Sequence, residues 1–245
     1  PHRRGFETFL GYLNDEEDYY THQGWSVTVR GRKFWDFGYA ERDAGYIDPA
    51  TRLPYGARAA VGQYSTDLFV QRAADVARDH AAATPEDPLF LYVAFQAVHD
   101  PLGPPPNGTW TQEEEKLLNR VPTKDLLRNR FAEVLMYLDK QVGSLVSSLE
   151  ALGYMDNTLL VVASDNGGCP EYGGSNFPLR GMKHTYWEGG NRVPAFVYGP
   201  GVLPARRAGA VFDGLFSVSD WVPTLAGLAG GALAENIRYD GVDQW

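Results

Sequence analysis

A single cysteine, Cys169, among 245 residues rules out a disulfide within this chain and leaves its redox compartment open. Long apolar runs are missing too: a stretch such as Leu89–Phe95 is far too short to span a bilayer. Basic residues are in deficit, with 22 Lys and Arg against 31 Asp and Glu and a formal net charge of −9. That balance excludes nonspecific binding to nucleic acid or to an anionic membrane, though not an anionic substrate held in a local basic pocket. There is no internal repeat and no low-complexity tract. A hydrophobic content of 44% with 22% charged residues excludes a disordered chain, and the length suits one large domain with its own core. The chain opens on Pro1 and not on Met, shows nothing like a signal peptide near its start, and closes on Asp240-Gly241-Val242-Asp243-Gln244-Trp245, which does not read as a domain end. A segment of a longer protein is therefore expected.

The stretch up to about Gly62 is rich in Gly, Tyr and charge and reads as loops and short strands. Gln63–Ala82 reads as an amphipathic helix with Leu68, Ala73, Val76 and Ala77 to one side, closed by Pro85-Glu86-Asp87-Pro88. Leu89–Phe95 follows as a strand whose unbroken apolarity predicts burial on both faces. Asp125–Leu152 is the clearest helix: Leu127, Phe131, Val134, Leu138, Val142, Leu145 and Leu149 recur at spacings of three and four, and Gly153 is a natural stop. A strand over Asn157–Ala163, a glycine-rich loop and a short strand at Pro194–Tyr198 come next. Ser219 is expected to cap a last helix from Asp220 to about Ala229. This alternation predicts an α/β sandwich around a largely parallel or mixed sheet, in which ligands sit beyond the carboxyl ends of the strands.

Three polar stretches follow predicted strands. In Gln96-Ala97-Val98-His99-Asp100-Pro101-Leu102, His99 is a candidate general acid or oxyanion donor, because histidine changes charge near neutral pH. A histidine packed in a loop and bonded to backbone would look the same. Asp165 and Asn166, in Ser164-Asp165-Asn166-Gly167-Gly168, offer two adjacent oxygen ligands suited to a hard cation such as Ca²⁺ or Mg²⁺. Gly167 and Gly168 would permit a positive φ or a close approach to a ligand, and an ordinary Asp-Asn-Gly turn uses the same residues. In the stretch Pro178–Pro194, Lys183 offers a compact positive charge for a tetrahedral oxyanion, with Arg180 or Arg192 as bidentate clamps unless they are ordinary surface cations.

The order of these stretches is more specific than any one of them. A strand leading to His99-x-Pro101-Leu102, a strand leading to Asp165-Asn166-Gly167-Gly168, then Leu179-Arg180-Gly181-x-Lys183 and Trp187-Glu188-Gly189-Gly190-x-Arg192-Val193-Pro194 resembles the sulfatase family. Within that family the likeness is nearest to arylsulfatase B and its near relatives. Arg4–Tyr12, Glu17-Asp18-Tyr19-Tyr20, Leu89–Tyr92 and Ser219-Asp220-Trp221-x-Pro223-Thr224-Leu225 extend it over essentially the whole chain.

The resemblance implies an alkaline-phosphatase-like fold, a mixed, largely parallel sheet flanked by helices, with residues 1–245 forming part of a single catalytic α/β domain incomplete at both ends. It implies hydrolysis of a sulfate ester, on an aryl sulfate or a sulfated sugar such as a glycosaminoglycan. The nucleophile is a formylglycine made from Cys or Ser in Cys/Ser-x-Pro-x-Arg, with one Ca²⁺ per site. Asp165 and Asn166 would supply two of the metal ligands, Lys183 would bind sulfate oxygen, and His99 would bind sulfate and donate a proton to the departing alcohol. The nucleophile, an Asp-Asp metal pair, and a further Lys and His are not found in this sequence. Cys169-Pro170-Glu171-Tyr172-Gly173 lacks the Pro and Arg spacing, and Asn176-Phe177-Pro178-Leu179-Arg180 offers an Asn that cannot become formylglycine. The 245 residues alone are therefore expected to be inactive. Two rivals stay open: a metal-dependent phosphoesterase of the same superfold, and a noncatalytic pseudoenzyme that binds sulfated glycan. The sequon Asn107-Gly108-Thr109 supports a secretory route to lysosome or extracellular space. Nucleic acid is not an expected partner.

Overall fold

A computed structural model describes residues 4–13, 16–29, 32–35, 37–41, 45–46, 60–120 and 124–245. They belong to two compact units, Pro1–Leu203 and Pro204–Trp245, described separately below.

The first unit begins with five strands: β1 (Thr8–Tyr12), β2 (Gln23–Val29), β3 (Arg32–Trp35), β4 (Phe37–Glu41) and β5 (Gly45–Tyr46). β4 lies between β1 and β5, antiparallel to both, and β2 pairs with β3. Next come helices α1 (Ser65–Ala83), α2 (Gln112–Leu118) and α3 (Leu126–Ala151). Then β6 (Leu160–Ala163), the four-residue helix α4 (Glu188–Asn191) and β7 (Ala195–Tyr198) complete the unit. β6 and β7 are antiparallel, in the register Leu160↔Tyr198 to Ala163↔Ala195.

α3 matches its sequence signals at both ends. The Asp125 carboxylate accepts the N–H groups of Leu127 (2.9 Å) and Arg128 (3.3 Å), and Gly153 takes the left-handed conformation, φ 79°, that a side chain would resist. Val134, Tyr137, Leu145 and Leu149 are its buried face. In α1 the buried set is Phe69, Val70, Ala73, Ala74 and Ala77, with Leu68 and Val76 only half-buried. The stripe is turned by about one position from the one expected, because three small alanines let α3 come close. Val70, Ala73, Ala74 and Ala77 of α1 form one core cluster with Leu145 and Leu149 of α3 and Met155. Each large aliphatic side chain buried there contributes about 1.5–3 kcal/mol.

Leu89–Phe95 departs from the expectation of two buried faces. Leu89, Leu91, Val93 and Phe95 pack on the α1–α3 cluster, whereas Phe90 and Tyr92 are 64% and 72% exposed. Among the described residues the segment has no ladder partner, so it is an extended run with one covered face.

In the second unit, α5 (Trp221–Leu228) is entered through a short 3₁₀ turn, Val218–Asp220. The expected cap, Ser219, is displaced by Ser217: the Ser217 hydroxyl accepts Ser219 N–H at 3.3 Å, and the Asp220 carboxylate accepts Ser217 N–H at 2.9 Å. The extra 3₁₀ turn moves the cap two residues upstream. Hydrogen bonds from Val242 N–H, Ser217 N–H and the Gln244 amide hold the Asp220 carboxyl below the usual carboxylate range.

His22 is fully buried beside Phe37, with ring centroids 4.8 Å apart. Its Nε2–H donates to Ala60 O at 2.9 Å, which leaves Nδ1 to accept the Tyr12 hydroxyl at 2.7 Å. Burial lowers its pKa. A histidine kept neutral by burial binds fewer protons folded than unfolded, so its contribution is complete above the unfolded value of about 6.5 and is lost as pH falls below it. Denaturant unfolding at a series of pH values from 7.5 to 5 should show stability falling with acidity. The His22→Asn chain should be less stable at pH 7.5 and lose part of that slope; an unchanged slope would contradict this.

Candidate functional site

Three loops build the site. His99 lies after the extended segment 89–95, in a loop held from beneath by hydroxyl and amide donors. Tyr19 Oη donates to His99 O at 3.0 Å, Tyr64 Oη to Gly103 O at 3.0 Å and Tyr20 Oη to Pro104 O at 2.8 Å. Ser65, in the first turn of α1, donates to Gln96 Oε1 at 2.6 Å, and Gln96 Nε2 donates to Glu17 O. Tyr19 and Tyr64 stack with centroids 5.1 Å apart, and burial raises the pKa of both phenols far above the usual range, so they stay protonated donors. Neither Tyr64 nor Gln96 carried a functional signal in the sequence. The Glu17–Tyr20 run stood out only as part of a family pattern.

The other two loops are joined by the β6–β7 ladder. Antiparallel pairing sets the end of β6 beside the start of β7, and Ser164 N–H continues the ladder to Pro194 O at 3.1 Å. Gly167 N–H then donates to Gly190 O at 2.9 Å, and Gly189 N–H to Arg180 O at 2.8 Å. Neither Gly167 nor Gly168 has a positive φ. Gly167 is required by close approach, as expected, but to protein backbone: a Cβ there would overlap the carbonyl of Gly189, and one on Gly189 would overlap that of Gly181.

His99 and Lys183, 84 residues apart, meet at this junction: Lys183 Nζ lies 3.2 Å from His99 Nε2. His99 Nδ1 lies 2.7 Å from Asp100 O, a carbonyl that can only accept, so Nδ1 carries the proton and Nε2 is the acceptor for the lysine ammonium. Lys183 has no carboxylate within ion-pair reach among the described residues. Arg180 stacks on Trp187, its guanidinium carbon 3.6 Å from the ring centroid, and Arg192 pairs with Glu188 at 3.6 Å on the surface. Both arginines are thus engaged as ordinary surface cations are, which leaves Lys183 as the cation of this stretch that faces the site among the described residues.

Asp165 is exposed and Asn166 half-buried where β6 ends. The Asn166 carbonyl accepts the Ser164 hydroxyl at 3.0 Å, while neither the Asp165 carboxylate nor the Asn166 carboxamide has a partner among the described residues. Two unengaged hard oxygen donors fit part of a Ca²⁺ shell, which takes about 6–8. Among the described residues no group of three or more His, Cys, Asp or Glu is placed to hold a metal ion. Among the described residues neither the Asp165 nor the Asn166 side chain hydrogen-bonds His99 or Lys183; the turn is joined to the lysine loop by Gly167 N–H to Gly190 O and by the Asn176 carboxamide, which bonds Gly168 and Gly181. Cys169 is a half-buried residue capping the 3₁₀ turn Pro170–Tyr172. The feature that sequence reading missed is Asn176, whose carboxamide bonds Gly168 and Gly181; its position two residues before Pro178 was the only signal.

Residues 1–232 match the sulfatase family model. The chain is 36% identical over its whole length to arylsulfatase J of Mus musculus, covering 36% of that protein. It is 33% identical to N-acetylgalactosamine-6-sulfatase of Canis lupus familiaris over 73% of the chain and 31% of that protein. Among solved structures it is similar to Ps i-CgsB in complex with k-i-k-neocarrahexaose, with a TM-score of 0.75 at 28% identity, covering 100% of this chain and 50% of that one. Likeness to the PsFucS1 sulfatase from Pseudoalteromonas sp., with a TM-score of 0.72 at 24% identity over 100% of this chain and 48% of that one, shows the fold. The chain thus spans about a third of the curated relatives it matches and about half of the solved ones. No helix among the described residues is long and apolar enough to cross a membrane.

The glycine seam gives a clear expectation. Gly167→Ala forces backbone apart and should cost about 2 kcal/mol or more in unfolding free energy, whereas Arg192→Ala, which loses an exposed ion pair, should change it by less than about 1 kcal/mol. Denaturant titrations of the two variants that gave equal losses would contradict the seam.

Proposed function

The chain belongs to the sulfatase family and has its mixed α/β, alkaline-phosphatase-like fold, and on that premise we propose that the protein it is part of hydrolyses a sulfate ester. The observation that carries this reading is the Lys183–His99 contact of 3.2 Å.

In this reading Lys183, which has no carboxylate partner among the described residues, binds a sulfate oxygen. His99, held as the Nδ1–H tautomer by Asp100 O, presents Nε2 to the same site. There it takes a proton, from solvent or by way of Lys183, and delivers it to the departing alcohol oxygen. Asp165 and Asn166 would hold Ca²⁺ together with ligands outside these residues, and the bound cation supplies positive charge against the sulfate oxygens. A formylglycine, from a Cys/Ser-x-Pro-x-Arg sequence that these 245 residues do not contain, would supply the attacking hydroxyl, so the segment by itself would not turn over.

The proposed substrate is a sulfated sugar or glycosaminoglycan, with simple aryl sulfates as surrogates. Similarity to an N-acetylgalactosamine-6-sulfatase and to a structure in complex with a neocarrahexaose supports that class. The proposed destination is the lysosome or the extracellular space. Its support is the sequon at Asn107, which is exposed in a turn with Gly108 at φ 75°.

The test uses the full-length protein. With 4-nitrophenyl sulfate, Lys183→Ala and His99→Ala should each lower kcat/KM by about 10²–10⁴-fold, the usual range for loss of a general acid or of a transition-state donor. Calcium chelation should abolish turnover. Wild-type rates in both variants would overturn the roles, faster cleavage of 4-nitrophenyl phosphate would favour the phosphoesterase, and binding of sulfated sugar without turnover would favour the pseudoenzyme.

A further inference from the structure

We propose that Asn176 is a positioning residue that sets the cation-side turn against the lysine-side loop; this rests on the sulfatase reading of the site given above. Its carboxamide makes three hydrogen bonds, and they reach both segments. Gly168 N–H donates to Oδ1 at 2.8 Å, while Nδ2 donates to Gly168 O at 2.7 Å and to Gly181 O at 3.1 Å. The two bonds to Gly168 form a closed pair, as a strand neighbour would, and they fix both the donor and the acceptor of that residue. The third bond uses the remaining amide hydrogen on the loop that leads to Lys183, so both donor hydrogens are spent on these two loops.

The frame around Asn176 is itself held. Leu179 N–H donates to Asn176 O at 2.7 Å, and Gly174 N–H to Cys169 O at 3.0 Å. The side chain is half-buried and bonds backbone alone, so it acts through Asn166 and Lys183 and not on substrate. The Gly167–Gly190 and Gly189–Arg180 bonds fix the same loops at their far side. Without Asn176 the loops would keep that hinge and lose the second attachment, which lets the Asp165–Asn166 oxygens and the Lys183 ammonium drift independently. Groups that orient metal ligands from outside the coordination shell typically change metal affinity or activity about 10–100-fold when removed.

The experiment uses full-length enzyme and three measurements: Ca²⁺ affinity by competition with a chromogenic chelator, kcat and KM for 4-nitrophenyl sulfate at saturating Ca²⁺, and Tm in excess EGTA. Asn176→Ala removes all three bonds. Asn176→Asp is nearly isosteric, keeps the acceptor for Gly168 N–H, and turns a carboxylate towards two carbonyl oxygens. Both variants should weaken Ca²⁺ binding about 10-fold or more and raise KM at saturating Ca²⁺. If Asn176→Ala does not fold, Asn176→Asp carries the same expectation. Ca²⁺ affinity and KM within about twofold of wild type, with only the Tm in EGTA lowered, would make Asn176 a structural residue and overturn the proposal. A wild-type enzyme that shows no Ca²⁺-dependent sulfate ester hydrolysis would instead overturn the reading of the site on which the proposal stands.

Discussion

Everything in the site depends on backbone meeting backbone between the turn after β6 and the loop before β7. Antiparallel pairing brings the carboxyl end of β6 alongside the amino end of β7, and the ladder runs on past both strands through Ser164–Pro194 and Gly167–Gly190. Chain segments more than twenty residues apart thereby share one edge. No side chain fits at Gly167 or Gly189, because a Cβ at either would occupy the space of a neighbouring carbonyl. The glycines that looked like turn formers are there for thickness: they let two loops lie at hydrogen-bond distance, so that an oxygen-bearing turn and a lysine share one support.

His99 reaches the same place by a different physical route. Its loop has no ladder of its own and is held by donors from a protein core: Tyr19, Tyr20 and Tyr64 give phenol hydrogens to the carbonyls of His99, Pro104 and Gly103. Burial keeps Tyr19 and Tyr64 protonated, so these bonds do not weaken over the pH range in which a histidine titrates. The helices below contribute through Ser65 and the α1–α3 cluster that seats Leu89–Phe95. Packing energy in one region is thus converted into the fixed position of a single imidazole.

How much of this was legible in the sequence follows from the range of each interaction. The bounds of α3 could be read to within a residue, since its cap and its stop are local, whereas its buried face includes the unexpected Tyr137 and leaves Leu127 46% exposed. The identities of His99, Asp165, Asn166 and Lys183 as a set came from order along the chain, and the structure brings His99 and Lys183 into contact. Burial of Leu89–Phe95 was overestimated, because an apolar run does not say whether both of its faces find partners. Ser217 displaced Ser219 as a cap because a 3₁₀ turn added to a helix leaves no mark in apolar periodicity. Asn176 was noted only as an Asn that cannot become formylglycine, and its positioning role was illegible for a related reason: its bonds to Gly168 and Gly181 depend on tertiary approach alone.

The charge arrangement then selects the kind of ligand. Three cations lie on the Arg180–Arg192 stretch, and two of them are spent within the protein, one on the Trp187 ring and one on Glu188. Lys183 is set instead against a neutral imidazole nitrogen, which orients the ammonium without cancelling its charge. An ammonium so placed in a chain of net charge −9 is a local reversal of the overall field. The Asp165 carboxylate and Asn166 carboxamide oxygens, without partners among the described residues, suit the opposite requirement, a hard cation. In the proposed reading one anion bridging a lysine and a divalent cation would satisfy both at once, and a tetrahedral oxyanion with several equivalent oxygens is a ligand shape that could do so while placing its ester oxygen near His99 Nε2.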